Sequence, residues 1–508
     1  MDTCLFRILL VAIILFTQMF SIKSQTGGDA VIYTDDKGKK IDYFFYDLKG
    51  WSGSIGNADR ANQLFVNDDH NGIRIPIWGD TSHYAHPSPG VVVSSKYDQI
   101  VNGINRAKTA RTGKPLYIFA SKKLKNQGSF PHWTKDETGI IPKQYAILIA
   151  DFIQHMNSRS VTIDYLGIDN EYVYNEGKIT PLKYKQTIDE LKILAEQRGF
   201  DMPILVGYED YGPNKRDWVK KLFDNGWGDY MDIYGTHYYP QWRPYDKLKK
   251  DLSFIGDRPF WATEPHWDAK AEINAYDDAE AAMVTLWEQI DLGMSGFMWW
   301  NYRYSKKAPV RMNLMRAASV PLLGAYPIRI EDIDGGNNVK ESLGDKLQTR
   351  AFIEEGKITV YAINMKQTAY NDYGFSLNSK EISGEVTYKQ WVDGGDITAT
   401  ECTATLVDNR KFSQTLPSRS ITVFSFNIKS VGVNEHFVDT DNLRITPNPA
   451  LDVINISGIN SGELLQVYSI SGKLILEGKG KTVNVSSLQR GLYLLRTRNN
   501  RIEKFIKN

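Results

Sequence analysis

The sequence predicts an α/β protein in which a (β/α)8 TIM barrel is followed by an all-β sandwich and a small C-terminal β-domain. Between Tyr43 and Asn301, apolar runs of strand length alternate with amphipathic stretches of helix length, the pattern of repeated βα units. After Arg316, polar and apolar residues alternate and the helical pattern stops. From Ile445 onward, short strands are separated by Ser-Gly and Arg-Gly turns. These changes predict a barrel over 43–316, a sandwich over 317–430, a linker over 431–442 and a last domain over 443–508.

The N-terminus reads as a secretory signal peptide, residues 1–25. Its apolar run, Leu5 to Phe20, follows a single Arg7 and is short for a membrane span. A retained amphipathic anchor is the alternative, but because no second apolar run of about 18 residues follows, we expect no membrane span. Residues 26–42 lead into the barrel, and we expect the stretch from Asp29 to Thr34 to add a strand to the sandwich.

Composition narrows the choice of partners. The 61 basic and 60 acidic residues give a net charge of +1, so no global field favours nucleic acid or an anionic membrane. The chain carries 12 Trp and 28 Tyr, more than core filling requires, and such residues are suited to binding carbohydrate.

Eight apolar runs supply the expected barrel strands. The longest intervening helical patterns are Pro142 to Asn157 and Pro181 to Arg198. The expected strands are Tyr43–Asp47, Gly72–Ile77, Leu116–Ala120, Leu166–Asn170, Ile204–Tyr208, Met231–His237, Phe260–Glu264 and Gly296–Trp300.

Two of these runs end in a glutamate, Glu171 just after the fourth and Glu264 at the end of the seventh. A barrel presents such residues together at its carboxyl-terminal face, where the strands hold them rigidly. Cleavage of a glycosidic bond needs a proton donor and a negative group, so two carboxyls in different environments suffice. The alternative for either residue alone is a structural helix cap or salt-bridge partner.

This arrangement resembles the clan A retaining glycoside hydrolases, with Asn170-Glu171 after strand four and Glu264 on strand seven. The resemblance implies that Glu171 is the acid/base, Glu264 the nucleophile, and Asn170 a hydrogen-bond partner of the sugar 2-hydroxyl. Arg74 on strand two is similar to the clan's arginine that keeps the nucleophile ionised, and a surface ion pair is its alternative role.

Two further features of the barrel carry the same resemblance. His237 and Tyr239 are similar to the strand-six pair that orients the nucleophile, although both could be core residues. Trp299 or Trp300 resembles the platform beneath the sugar at the cleavage point, and a packed core Trp is the alternative.

Within the clan, a barrel followed directly by a sandwich is most similar to glycoside hydrolase family 30. The stretch from Tyr117 to Ser121, followed by Ser129 to Trp133, resembles that family's strand-three segment. Two departures stand out: Tyr172 follows Glu171 where the family has proline, and Lys122-Lys123 replaces Pro-Trp. The implied reaction is double displacement with retention, requiring no metal or cofactor.

The substrate is expected to be a polysaccharide or oligosaccharide cut internally, and we expect an algal galactan of the agar or porphyran type, with xylan or glucan as the rival. Positive residues near the strand ends suit an anionic glycan, although solvated loop charge is the commoner reading. These residues are Lys122, Lys123, Lys125, Arg243 and Arg303. Aromatic residues that could stack on sugars are Trp51, Trp78, Tyr84, Trp133, Tyr208, Trp242 and Trp267. A non-catalytic glycan-binding protein is the alternative of another class.

The last domain carries four motifs in order, which are Pro447-Asn-Pro449, Val467 to Lys473, Gly491 to Arg496 and Lys504-Phe-Ile506. Their order resembles the type IX secretion sorting domain of Bacteroidetes. The resemblance implies the type IX secretion machinery as a partner, passage through the periplasm, and then release or surface attachment. A third small β-domain of another kind is the alternative.

Overall fold

The structure is a computed structural model whose backbone contacts divide the chain into two units, Met1–Ser430 and Val431–Asn508. It describes residues 30–48, 55–79, 84–123, 130–171, 179–213, 217–238, 250, 252–265, 275–299, 320, 322–332, 347–395, 399–429, 444–457, 459, 464–469, 474–497 and 502–507. The expected signal peptide and linker lie outside these residues. No helix among them is both long and apolar enough to cross a membrane.

The first unit contains a closed barrel of eight parallel strands, which hydrogen-bond in sequence order, and the eighth strand pairs with the first to close it. The (β/α)8 prediction is therefore confirmed. The strands are Tyr43–Asp47, Gly72–Ile77, Tyr117–Lys122, Tyr165–Gly167, Ile204–Asp210, Ile233–Tyr238, Phe260–Pro265 and Gly296–Phe297. The first two match their expected bounds, whereas the fourth and eighth each stop three residues earlier than expected.

Six α-helices are described, all around the barrel: Ala58–Asn62, Asp98–Ala110, Pro142–Ser158, Pro181–Arg198, Asp217–Asp224 and Ala275–Asp291. The helix Pro181–Arg198 has the start and stop signals that allow a helix to be predicted from sequence. Thr180 caps it by accepting a hydrogen bond from the backbone N–H of Lys183, proline occupies its first turn, and Gly199 ends it at φ 68°.

Aromatic side chains fill the lower half of the barrel interior. Phe45, Phe119, Tyr165 and Trp261 pack together there, with rings that meet mostly edge to face. Gly72 lies under the Phe45 ring, where a Cβ would collide with the ring carbons. Among the described residues, the charged side chains of Glu209 and Glu264 lie nearer the carboxyl ends of their strands than this aromatic layer does.

A ten-stranded sheet forms the rest of the first unit, which confirms the all-β sandwich. Its strands are Ala30–Lys37, Tyr326–Asp332, Leu347–Glu354, Lys357–Asn364, Tyr370–Leu377, Ile382–Val392, Glu401–Thr403, Thr405–Asp408, Lys411–Leu416 and Ser420–Ile428. The sheet folds over itself, because the rings of Phe375 and Phe412 each lie 5.1 Å from that of Phe424, several strands away in the hydrogen-bond order. Ala30–Lys37 joins Tyr326–Asp332 to Tyr370–Leu377, so the N-terminal segment supplies an internal strand.

The second unit is a small β-domain of two antiparallel sheets. One contains Arg444–Thr446, Val453–Ser457 and Thr482–Asn484, and the other contains Leu464–Ser469, Leu474–Lys479, Gly491–Thr497 and Ile502–Lys507. Ile454, Leu465, Val467, Leu495 and Phe505 are buried in its own hydrophobic core, as expected of a domain that folds by itself.

Candidate active site

The two glutamates selected from the sequence meet at the carboxyl-terminal end of the barrel. One carboxylate oxygen of Glu171, one of Glu264 and one ring nitrogen of His237 lie within 4.8 Å of one another. Glu264 is 8% exposed and Glu171 is half-buried, so each carboxylate side chain remains partly accessible.

His237 lies between the two carboxylates. Its Nδ1 is 2.8 Å from Oε1 of Glu171, at hydrogen-bond distance. Its Nε2 is 3.4 Å from Oε2 of Glu264, a close contact without hydrogen-bond geometry. Because the ring is fully buried, its orientation is fixed by packing, and the sixth strand thereby sets the positions of both acids.

Arg74 connects the nucleophile candidate to the barrel interior. Its Nη1 donates to Oε2 of Glu264 at 3.0 Å and to Oδ2 of Asp47 at 3.3 Å, and its Nη2 donates to Oε1 of Glu209. Burial lowers the pKa of the Arg74 guanidinium, but the carboxylates of Glu209, Asp47 and Glu264 outweigh this and raise the pKa above its ordinary value. Arg74 is therefore a permanent buried cation, and a surface ion pair is excluded.

Asn170 lies beside the same guanidinium, with Oδ1 accepting from Nη2 of Arg74 at 3.4 Å. Its backbone N–H donates to Oδ1 of Asp169 at 2.7 Å, and Oδ2 of Asp169 accepts from the hydroxyl of Tyr208 at 2.5 Å. Burial raises the pKa of Asp169 to about 7. Tyr208, expected to stack on sugar, instead stacks on Trp218 with a 3.5 Å centroid distance.

The remaining predicted site residues fall in three places. Trp299 is 1% exposed within the hydrophobic core, the location its core alternative expects. Trp133 is half-buried and donates from Nε1 to the backbone carbonyl of His86 at 2.9 Å. Tyr239, Trp242 and Arg303 lie outside the described residues.

Lys122, expected at the rim of a cleft, is instead fully buried. Its Nζ donates to the backbone carbonyl of Lys123 at 2.8 Å and lies 4.8 Å from the centre of the Phe130 ring. Phe119 and Ser121 of the same strand face the barrel interior, so strand alternation turns Lys122 the other way, toward the Phe130 ring that packs on helix residue Tyr145. Lys122 is therefore a buried charge between the barrel and its helices rather than solvated loop charge.

Sequence reasoning did not select Asp47, Glu209 or Ser121, although all three contact the site. Asp47 and Glu209 bind Arg74, and Ser121 donates its hydroxyl hydrogen to Oε2 of Glu209. Each lies at the carboxyl end of an expected strand or directly after it, the same signal that selected Glu171 and Glu264. Applying that signal to all eight strands would have found them.

Glu171, His237 and Glu264 could also hold a metal ion, since carboxylates and imidazole are common ligands. The absence of a metal or cofactor requirement was expected from the sequence and stays a prediction.

Comparison with solved structures gives the same barrel-and-sandwich fold. A family 30 endoxylanase from Clostridium papyrosolvens C71 aligns with a TM-score of 0.58 and 15% identity, over 78% of this chain and 100% of that chain. The catalytic domain of a family 30 xylanase from Talaromyces cellulolyticus aligns at 0.59 and 16%, over 78% and 100%. An endo-β-1,6-glucanase aligns at 0.56 and 13%, over 79% and 94%. At these identities the likeness shows the fold.

Sequence comparison identifies the last domain. Residues 444–508 match the family model of the secretion system C-terminal sorting domain. The prediction of a type IX sorting domain is confirmed, and it directs the protein to the cell surface or the extracellular space. No curated protein matches the chain by sequence.

Proposed function

We propose that the chain is a secreted, retaining β-glycoside hydrolase that cleaves a polysaccharide by double displacement. The observation that carries the proposal is the meeting of Glu171 and Glu264, whose nearest carboxylate oxygens lie within 4.8 Å. Carboxyl groups about 5 to 5.5 Å apart serve retention, whereas inversion needs about 6.5 to 9.5 Å to admit a water molecule. Glycoside hydrolases with the same fold support the reaction class.

In the first step Glu264 attacks the anomeric carbon while Glu171 donates a proton to the departing glycosidic oxygen. Arg74 favours the ionised form of Glu264, because a cation 3.0 Å away stabilises the negative charge. In the second step Glu171 removes a proton from water, which attacks the same carbon and releases Glu264. His237 holds both carboxylates in place during this exchange.

We propose an algal galactan as the substrate, which the enzyme cleaves at internal bonds. A β-xylanase or β-glucanase is the second candidate, and it is favoured by the solved endoxylanase and endo-β-1,6-glucanase of the same fold. The sorting domain indicates that the protein is exported, and we propose that it passes through the periplasm on the way. A non-catalytic glycan-binding protein would bind without product release.

The test is hydrolysis of a panel of agar, porphyran, xylan and β-glucans by the purified protein, Glu264→Ala and Glu171→Ala. We expect the wild type to release oligosaccharides whose new reducing ends first appear, by NMR, in the configuration of the substrate. Loss of the nucleophile should reduce the rate to background, and loss of the acid/base should slow it by a factor of about 10² to 10⁴. Glu196→Ala, on the exposed face of a barrel helix, is the matched control and should act as the wild type does.

Added azide separates the roles of the two acids. In Glu171→Ala it should capture the glycosyl-enzyme and give a product of retained configuration, and in Glu264→Ala it should fill the vacated space and give the inverted configuration. Unchanged product release by Glu264→Ala would remove the nucleophile assignment. Binding without turnover by the wild type would replace the enzyme with the glycan-binding alternative.

A further inference from the structure

Glu209 is a third carboxylate buried inside the candidate site. It lies near the end of the fifth barrel strand and is fully buried. Oε1 accepts from Nη2 of Arg74, and Oε2 accepts from the hydroxyl of Ser121. The neighbouring strand leaves space for it, because a Cβ on Gly167 would lie only 2.6 Å from Oε2.

The same residue also holds the acid/base segment through its backbone. The backbone N–H of Glu171 donates to the carbonyl oxygen of Glu209 at 3.0 Å. Both residues adopt the left-handed backbone region that non-glycine residues seldom occupy, with φ of 52° for Glu171 and 56° for Glu209. Strain of this kind persists only where the surroundings impose it, and it concentrates at functional sites.

One guanidinium therefore serves three carboxylates. Arg74 contacts Glu209, Asp47 and Glu264, and all four side chains are buried or nearly so. Among the described residues, the titratable groups around this set include Tyr46, Lys122, Tyr145, Asp169, Glu171, Tyr184 and His237. In such a set each negative charge makes ionisation of the others less favourable.

From this arrangement we propose that Glu209 is a positioning residue that shares Arg74 with Glu264, fixes the Asn170–Glu171 segment, and thereby sets the lower limit of the active pH range. This rests on the proposed function, in which Glu264 must be ionised to attack. When Glu209 carries no charge, the positive charge of Arg74 is no longer partly neutralised by it, so Arg74 stabilises ionised Glu264 more strongly. The pKa of Glu264 then falls, because its ionised form has lost a like charge nearby.

The test compares the wild type with Glu209→Gln, which keeps the shape of the side chain and loses its charge. We expect the acidic limb of the kcat/KM profile to move to lower pH by about one unit, with little change in KM. Glu209→Met, which sets no amide against the guanidinium, is the second variant and should shift the limb in the same direction. Ser121→Ala removes a hydrogen bond to the same carboxylate without changing charge, so it should leave the limb where it is.

A second readout does not depend on hydrolysis. Carbodiimide couples to protonated carboxyl groups, so the pH midpoint for labelling of Glu264, followed by peptide mass spectrometry, should also fall in Glu209→Gln. An unmoved midpoint in that variant, or an equal movement in Ser121→Ala, would overturn the role of Glu209. If labelling shifts while no polysaccharide is cleaved, the electrostatic coupling stands and the proposed hydrolase function fails.

Discussion

At the scale of single residues, Asp169 should make the stability of the protein depend on pH. It lies two residues before the acid/base candidate Glu171. It is 1% exposed, and its two carboxylate oxygens accept from the backbone of Asn170 and the hydroxyl of Tyr208. Burial raises its pKa from 3.8 to about 7. A group whose pKa is raised on folding stabilises the fold fully below its unfolded pKa, and this contribution is lost as pH rises through the folded value.

The free energy of unfolding should therefore fall as pH rises from 5 to 8, with Asp169 contributing a loss of about 2–3 kcal/mol. Asp169→Asn should flatten that dependence, because the amide does not titrate. Urea denaturation of both proteins at pH 5 and pH 8 measures the difference. Asp224→Asn, at an exposed helix position, is the control, and a wild-type slope in Asp169→Asn would show that other groups carry the effect.

The sequence patterns identified some of the site residues and not others. Glu171, Glu264, Arg74 and His237 could be found because each lies on or beside a readable apolar strand, and the structure brings all four together. The same signal also marks Glu209 as a candidate, but it does not show that Glu209 contacts Arg74 and Ser121, which are more than 80 residues away in sequence. Pairing across a barrel interior is a property of the closed fold and is not visible in local patterns.

At the scale of elements, packing in the barrel interior depends on a large aromatic side chain that faces a glycine on the neighbouring strand. Phe45 of the first strand occupies the space above Gly72 of the second, and its ring packs near Tyr43, Tyr165 and Trp261. The apolar run predicted a strand at Gly72–Ile77, but it could not tell that the glycine serves ring packing. That requirement appears only when the strands are in register, with Phe45 opposite Gly72.

We expect Gly72→Ala to destabilise the protein by about 1–3 kcal/mol or more, since the ring must leave its position. Phe45→Ala should cost about 3–5 kcal/mol through the cavity it creates. In the double variant the new methyl group enters that cavity, so the total should be smaller than the sum of the two. Urea denaturation of the four proteins completes the cycle.

Gly103→Ala is the matched control, because a Cβ there meets Ile55 at an ordinary 3.4 Å on a helix. It should be neutral or stabilising, since alanine favours helix over glycine. Additive energies for Gly72 and Phe45 would contradict the proposed packing conflict.

At the scale of the whole molecule, the hydrophobic core of the barrel extends onto one side of the sandwich, which also has a core of its own. Phe352 and Tyr361, from sandwich strands, pack on Trp287 of a barrel helix with ring centroids 5.5 and 4.9 Å apart. Beside them Arg350 donates to both carboxylate oxygens of Asp291, at 3.2 and 2.6 Å. An apolar contact with a partly buried bidentate ion pair resembles the interior of one domain rather than a mobile interface between two.

The barrel and the sandwich should therefore unfold together. Phe352→Ala, at the shared core, should lower the free energy of unfolding by about 3–5 kcal/mol. Phe375→Ala, which lies in the sandwich's own core and stacks on Phe412, should act on the same single transition, and loss of hydrolysis should coincide with it in both variants. If Phe375→Ala instead separated an early sandwich transition from a later loss of activity, the sandwich would be an independent domain, and stabilisation of the strand ends that hold Glu171 and Glu264 would have to come from the barrel alone.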